Sequence, residues 1–431
     1  MRLIRYPDKE SWTTILKRPL QDNSSLDSSV KIILKKVKDE GDRALIEYGA
    51  KFDNCFTDSL ELTEREIGEA EILLDPDLKK SINIARENIY SYHKNQIEEI
   101  RETETSQGVL CWRENRPIEK VGLYIPGGSA PLFSSVLMLA IPAKIAGCSE
   151  IIMCSPPGPE GKIDPAIIYT ASLCGVTKIF MTGGAQAIAA MAYGTESIPA
   201  VYKIFGPGNQ YVTRAKELVQ LDGVAIDMPA GPSEVLVIAD ETARPEFVAA
   251  DLLSQAEHGP DSQVILLSDS ADLIEETIRA IDRQLAVLPR KDIASEALAS
   301  SFAILLDNIN SCIALSNLYA PEHLILAISS YRDKLKLINS AGSVFLGSFS
   351  CESAGDYASG TNHTLPTNGY ARAFSGVSAD SFVKKISFQE LSKEGLKNLG
   401  PHIQNMARAE KLEAHRNAVS IRLKYIENET Y

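Results

Sequence analysis

Lys120-Val-Gly-Leu-Tyr124-Ile runs into Pro126-Gly-Gly-Ser-Ala130 and then into an apolar stretch that reaches Ala146. A short apolar run, a glycine loop and a longer apolar run read as strand, turn and helix. The same order returns downstream. Glu150-Ile-Ile-Met-Cys-Ser155 ends in Pro-Pro-Gly158, and a helical pattern follows from Pro165 to Cys174. Lys178-Ile-Phe-Met-Thr182 runs into Gly183-Gly-Ala-Gln186, and Tyr202-Lys-Ile-Phe205 runs into Gly206-Pro-Gly-Asn209 and a helix to Leu218. Ala146 to Met153 and Leu173 to Met181 read as a weak repeat of one helix–strand unit. Such alternation predicts an α/β fold, mostly parallel sheet with helices on both faces.

Further along, Gly223-Val-Ala-Ile-Asp-Met-Pro-Ala-Gly231-Pro-Ser233-Glu-Val-Leu-Val-Ile-Ala-Asp240 reads as the return to a second sheet and a second α/β unit. Pro245 suits the first turn of a helix running to His258. Gln263 to Ser268 reads as a buried strand, Ala271 to Leu288 as a helix, and Phe302–Leu306, His323–Ile328 and Ala341–Leu346 as further strands. Residues 1–120 read mostly helical and are expected to complete this unit. Apolar residues from Val30 to Tyr48 keep helical spacing with a break at Gly41, Thr63 and Glu66 form a capping box, and Pro76 starts a helix reaching about Ile100. His93 on that helix reads as a surface or boundary residue. From Phe382 to Tyr431 the tail is polar and reads as helical; its apolar face is too thin to fold alone.

At 431 residues, length alone predicts about three domains. A net charge of −13 argues against nucleic acid as a partner, which calls for basic patches. Met1 to Asp8 carries no apolar run fit for a signal peptide, and the stretch Leu132–Ala146 is too short to span a bilayer. The expectation is a soluble protein with no membrane partner, cytoplasmic or else organellar after removal of a leader. Seven cysteines without a CxxC pair make a disulfide framework or a cysteine zinc site a poor reading, so buried free thiols are expected. Cys351 stands apart because it lies near Asp356.

Only six histidines occur, and several stand in compact polar motifs. Gln255-Ala-Glu-His258-Gly-Pro puts Gln255 and His258 on one face at a helix end; the alternative is a C-cap histidine touching carbonyls. In Ala320-Pro-Glu322-His323 the two polar residues are adjacent and reach one site only from a turn or strand start. They offer two proton-transfer groups of different pKa, or else a structural pair. Gly355-Asp356-Tyr-Ala-Ser-Gly-Thr-Asn-His363 is a poor packing element, either a site loop or a hydrated surface loop. Glu410 and His415 lie on a tail helix whose default is a solvated face. The glycine loops can offer N–H groups to a phosphate, although none matches G-x-G-x-x-G and no G-x-S-x-G elbow is present.

Taken together these motifs resemble the histidinol dehydrogenases. The resemblance rests on Leu123-Tyr-Ile-Pro-Gly-Gly-Ser-Ala-Pro131, Gly183-Gly-Ala-Gln-Ala-Ile-Ala189, Lys203-Ile-Phe-Gly-Pro-Gly-Asn209, Asp227-Met-Pro-Ala-Gly-Pro-Ser-Glu-Val235, Ser254 to Pro260, Ala320 to Leu324 and Ser353 to His363, in order along nearly the whole chain. It implies oxidation of L-histidinol through the aldehyde to L-histidine, with two NAD+ consumed at one site and one zinc per subunit. It implies two incomplete Rossmann-like domains. One comprises residues 25–122 and 234–377 and the other, on the NAD side, residues 123–233. Residues 1–24 form an arm, and the helical dimerisation tail, 378–431, crosses to a partner in a homodimer with shared active sites.

Carried over by motif, Gln255, His258, Asp356 and His415 are the implied zinc ligands, with His415 coming from the partner. Glu322 and His323 are the implied acid/base residues. Ser233, His363 and Glu410 are implied substrate contacts, alongside His323 and the zinc ligands, and Tyr124, Gln186 and Asn209 contact NAD. Zinc on this reading acts as a template for the substrate's imidazole and amine. The competing readings are a dehydrogenase of another small alcohol, a metal-dependent hydrolase that uses the same ligand set, and a nucleotide-binding module without catalysis.

Overall fold

The computed structural model describes residues 1–18, 24–57, 59–127, 131–158, 160–229 and 231–428. Residues 128–130 of the first glycine loop, residue 230 of the Asp227 motif and the last three residues of the tail lie outside the described residues. The chain divides into two units, residues 1–96 with 118–382, and residues 97–117 with 383–431.

Lys120–Tyr124 is the central strand of a five-stranded sheet, ordered Lys178–Met181, Glu150–Ser155, Lys120–Tyr124, Lys203–Phe205, Ala225–Ile226 and parallel throughout. Helices cover both faces, which is why the strands are apolar at nearly every position. Val121, Leu123, Ile151 and Met153 enter one core, and Tyr124, Ile152 and Cys154 the other. The helices Ser24–Glu40 and Asp42–Phe52 pack in the second core, while Glu64–Leu73 and Pro76–Lys94 pack in the first. The expectation that the N-terminal helices complete the 234–377 unit is therefore corrected: their apolar stripes are buried with the strands of 120–226. Gly41, at φ +57, separates the first two helices, and the Thr63–Glu66 capping box is formed.

The second sheet has six parallel strands, ordered Arg2–Arg5, Phe302–Leu305, Gln263–Ser268, Glu234–Ala239, His323–Ala327, Ser343–Leu346. Again successive residues alternate between two cores. Val235 and Val237 face the side of the helix Pro245–Ala256, and Leu236 and Ile238 face Trp12, Leu16 and Tyr319. Chain order runs outward from Glu234–Ala239 to one edge, then returns to place His323–Ala327 on its other side. That return puts the first residues of both central strands next to each other.

In the second unit, Val383–Leu391 pairs antiparallel with Val109–Pro117, and Thr103–Ser106 completes a three-stranded sheet. The tail was expected to be helical from Phe382, and this is corrected. Lys384, Lys385, Gln389 and Glu390 give the strand no half-buried alternation to read, and its partner strand decides the conformation. Beyond it, Lys393–Ala409 and Glu413–Asn428 pack as a helical hairpin, with Gly400 against Leu423 and Val419. Five of the seven cysteines are buried, Cys351 is exposed, and all seven are free thiols.

His93 is a third correction. It is fully buried, extending the stripe Ile82, Ala85 and Ile89 along its helix. Burial lowers its pKa from the ordinary 6.5 to about 4. The unfolded chain therefore binds a proton that the folded chain refuses between these values. The contribution of His93 to stability is full well above pH 6.5 and falls by up to ~3 kcal/mol as pH drops toward 4. Urea unfolding of the parent and of His93→Gln at pH 7 and pH 4.5 should show a steeper loss in the parent; equal losses would place the proton uptake elsewhere.

Candidate active site and metal centre

Glu322 and His323 stand where the helix Ile309–Tyr319 turns into a strand. Ala320, at φ +56, reverses the chain, and the strand begins at His323. Both side chains are buried, and both bond to the backbone of one residue, Glu234, on the neighbouring strand. The Glu234 N–H donates to Glu322 Oε2 at 2.8 Å, and His323 Nδ1 donates to the Glu234 carbonyl at 3.2 Å. A carbonyl can only accept, so the proton of the neutral ring sits on Nδ1 and Nε2 carries the lone pair. Nε2 lies 3.4 Å from Asp356 Oδ1, buried and without a hydrogen bond.

Glu234 is itself held firmly. Its carboxylate receives Arg18 at both oxygens, one contact at 2.8 Å, and the guanidinium also stacks 3.8 Å from the Tyr319 ring. The Asn368 N–H donates to the same carboxylate at 3.0 Å. Burial raises the Glu234 pKa, opposed by its bond and charge contact with Arg18.

Beside His323 stands a carboxylate that sequence reading missed. Glu352 and Asp356 are four residues apart on the helix Glu352–Tyr357, so they share a face. Glu352 is 1% exposed, with Oε1 3.8 Å from His323 Nδ1, and it receives the Gln255 amide in the orientation that satisfies both of that amide's ends. That i, i+4 acidic spacing was the available signal. Burial pushes the Glu352 carboxyl well up, and its acidic neighbours Asp356, Glu322 and Asp251 add to this against the pull of His323. Burial also works to raise Asp356, but its contact with His323 and the charges of His363 and His258 prevail and hold it low. For His323 burial works downward, and Glu322, Glu352 and Asp356 outweigh it, so its pKa is raised.

His258, just past the helix Pro245–Ala256, presents a ring nitrogen to this pair. Ligand-type atoms of His258, Glu352 and Asp356 all lie within 4.8 Å of one another. Glu352 Oε2 and Asp356 Oδ1 are buried without hydrogen bonds. Two stranded carboxylate oxygens beside an imidazole are a donor set that fits a divalent cation such as zinc. His363 donates from Nδ1 to the Asp356 carbonyl at 2.8 Å, and its Nε2 lies 3.2 Å from the Ser135 hydroxyl.

The cluster opens onto a cleft of about 680 Å³ whose wall includes Ser233, His258, Glu322, His363 and, opposite, Gly206–Asn209. The two walls have opposite polarity. The six-stranded sheet offers strand starts, and the five-stranded sheet offers strand ends at the point where its order reverses, the usual place for a ligand in such sheets. Gly206, at φ +120, must be glycine because a Cβ there would strike the Tyr124 carbonyl. Its N–H donates to Asp227 at 2.8 Å and its carbonyl accepts from Lys216 at 2.8 Å, and that buried lysine pairs with Asp227 at 2.5 Å. Asn209 caps the helix Gln210–Gln220 and lines the cleft. Tyr124 and Gln186 are buried; the Gly184 N–H donates to Tyr124 Oη at 3.0 Å, and burial pushes that phenol up to about 12. Glu410 and His415 belong to the second unit, at the end of one hairpin helix and the start of the next, and both are exposed.

Two parallel sheets, with glycine loops on one and a buried histidine–carboxylate cluster on the other, define an α/β enzyme with a candidate metal centre. The sequence profile of the histidinol dehydrogenases matches residues 16–423. The chain is 57% identical to histidinol dehydrogenase of Bacteroides thetaiotaomicron over 98% of its length and 99% of the relative's. It is 53% identical to that of Salmonella typhimurium over 96% and 95%. The crystal structure of histidinol dehydrogenase from Elizabethkingia anophelis superposes with a TM-score of 0.98, at 57% identity and 99% coverage of both chains. The chain belongs to the histidinol dehydrogenase family. No helix among the described residues is long and apolar enough to cross a membrane.

Proposed function

We propose that the protein oxidises L-histidinol through L-histidinaldehyde to L-histidine, a four-electron reaction that consumes two NAD+ and depends on zinc. The observation that carries this reading is the convergence of Glu322 and His323 on the Glu234 backbone, beside the ligand-type cluster of His258, Glu352 and Asp356. Membership of the family supplies the substrate.

In the first oxidation His323 takes the hydroxyl proton at Nε2 as hydride leaves the carbinol carbon for NAD+. In the second, Glu322 takes a proton from water as its oxygen bonds to the aldehyde carbon. Once His323 has released its first proton to solvent, hydride leaves the hydrate for a second NAD+, and His323 accepts the remaining hydroxyl proton, leaving the carboxylate. Both groups are buried and oriented before substrate arrives, so little reorganisation is needed during reaction. Bound zinc supplies a template for the substrate's imidazole and amine.

Gln255, His258, Asp356 and a second copy's His415 would hold it, with Glu352 as an additional buried donor. Ser233, His363 and Glu410 would contact substrate, and Tyr124, Gln186 and Asn209 the NAD+. A homodimer with shared sites is supported by the tail hairpin, on which Met406, Leu412 and Ile421 are each exposed; exposed large apolar side chains on a thin hairpin favour a protein partner. The protein is proposed to work in the cytoplasm.

Adding histidinol and NAD+ to zinc-loaded protein should generate NADH absorbance, and its absence would reject the reading. Glu352→Gln should weaken zinc binding by roughly tenfold or more, by chelator competition. Unchanged affinity would restrict Glu352 to holding Gln255.

A further inference from the structure

The segment Asp356–His363 carries a proposed metal ligand at one end and a proposed substrate contact at the other. It includes little apolar surface, so something other than packing has to fix it. The helix Pro76–Lys94 does this from behind. Asn88 donates to the Ala358 carbonyl at 2.9 Å, and Gly360, at φ +119, passes so close that a Cβ would sit 3.0 Å from the Asn88 carbonyl.

The third contact is buried and over-determined. Asn362 donates from Nδ2 to the Met138 carbonyl at 2.6 Å and accepts at Oδ1 from the Thr364 N–H at 2.9 Å. These two backbone partners fix which end of the amide is nitrogen. Nδ2 therefore also donates to His93 Nε2, 3.3 Å away, so Nε2 must carry a lone pair. At the other side of the ring, Gln96 Oε1 accepts from the Ala379 N–H at 2.9 Å, which fixes that amide too. His93 Nδ1 then donates to Gln96 Oε1 at 3.1 Å. Both networks demand the same tautomer, and the ring is fully buried. A histidine held neutral in one tautomer, away from the cleft, is a fixed acceptor aimed at Asn362.

We propose that His93 is a positioning residue: through Asn362 it fixes the segment that presents His363 to the substrate. The role of His363 rests on the proposed function; the contact from His93 to the segment does not. Since the acceptor is Nε2, length decides which replacement serves. Gln places its amide oxygen near the Nε2 position, and Asn reaches only as far as Nδ1. Both put an amide in place of the ring, so they share any general loss of packing.

The test compares His93→Gln and His93→Asn in the full-length, zinc-loaded protein. Thermal unfolding should fall similarly in both. His93→Asn should lose about tenfold in kcat/KM for histidinol, the scale of one buried hydrogen bond, with the KM for NAD+ within about twofold of the parent; His93→Gln should recover most of that loss. Amide hydrogen exchange across 356–364 should quicken in His93→Asn and not in His93→Gln. Equal kinetics and equal exchange in the two variants would overturn the proposal, as would a parallel rise in both KM values. If the parent itself forms no NADH, the functional reading fails, and the exchange comparison still decides the role of His93.

Discussion

His323→Ala protein should keep its zinc and lose about a thousandfold in kcat. A positioned general base is worth roughly 10²–10⁴ in rate, and nothing else in the cluster can replace it. Glu322 has Oε2 on the Glu234 N–H and takes its proton from water in the second oxidation, and Glu352 is engaged by Gln255 and pushed toward its protonated form by burial. His323 has its Nδ1 proton on the Glu234 carbonyl and Nε2 without a hydrogen bond, and the surrounding carboxylates raise its basicity, so in its neutral form it is the side chain whose Nε2 accepts a proton. The loss should fall on kcat rather than on the KM for NAD+, because the glycine-loop wall is untouched. Zinc analysis of the purified variant separates the two roles. Lost metal would make His323 a ligand, and near-normal turnover would remove it from the chemistry.

The second large effect concerns the tail. If His415 serves the site of a second copy, His415→Ala and Glu322→Ala proteins should each be nearly inactive and should rescue each other. In a mixed dimer one site pairs an intact Glu322 with an intact His415, and the other carries both defects. Random exchange makes half the dimers mixed, with one working site of two, so about a quarter of parent activity returns. Refolding or dilution and reconcentration of tagged subunits verifies the exchange. No recovery in demonstrably mixed dimers would place His415 in its own chain's site or outside any site.

The parallel sheets were legible because glycine loops punctuate fully apolar runs at Tyr124, Thr182 and Phe205. The helix Pro245–Ala256, the break at Gly41 and the Thr63 capping box were legible from local chemistry alone. So was the need for a strand start at His323, since adjacent side chains reach one site only there. Val383–Leu391 was not legible, because an exposed strand next to a polar partner carries no period of two. His93 was misread on residue type, although its i+4 step from Ile89 continued the buried stripe. Glu352 was missed because a single acid in Cys351-Glu-Ser-Ala has no motif; only its helical spacing to Asp356 betrays it. The part played by Glu234 was beyond sequence, since it acts on Glu322 and His323 through main-chain atoms. Which sheet the N-terminal helices cover was likewise settled by packing, because an apolar stripe does not name its partner.

The central claim is that one cluster carries out two successive oxidations. NADH formed per histidinol consumed tests it most directly, measured to completion with zinc-loaded protein and excess NAD+. The account predicts two NADH per histidinol with L-histidine as the product. One NADH per histidinol, with aldehyde accumulating, would contradict it.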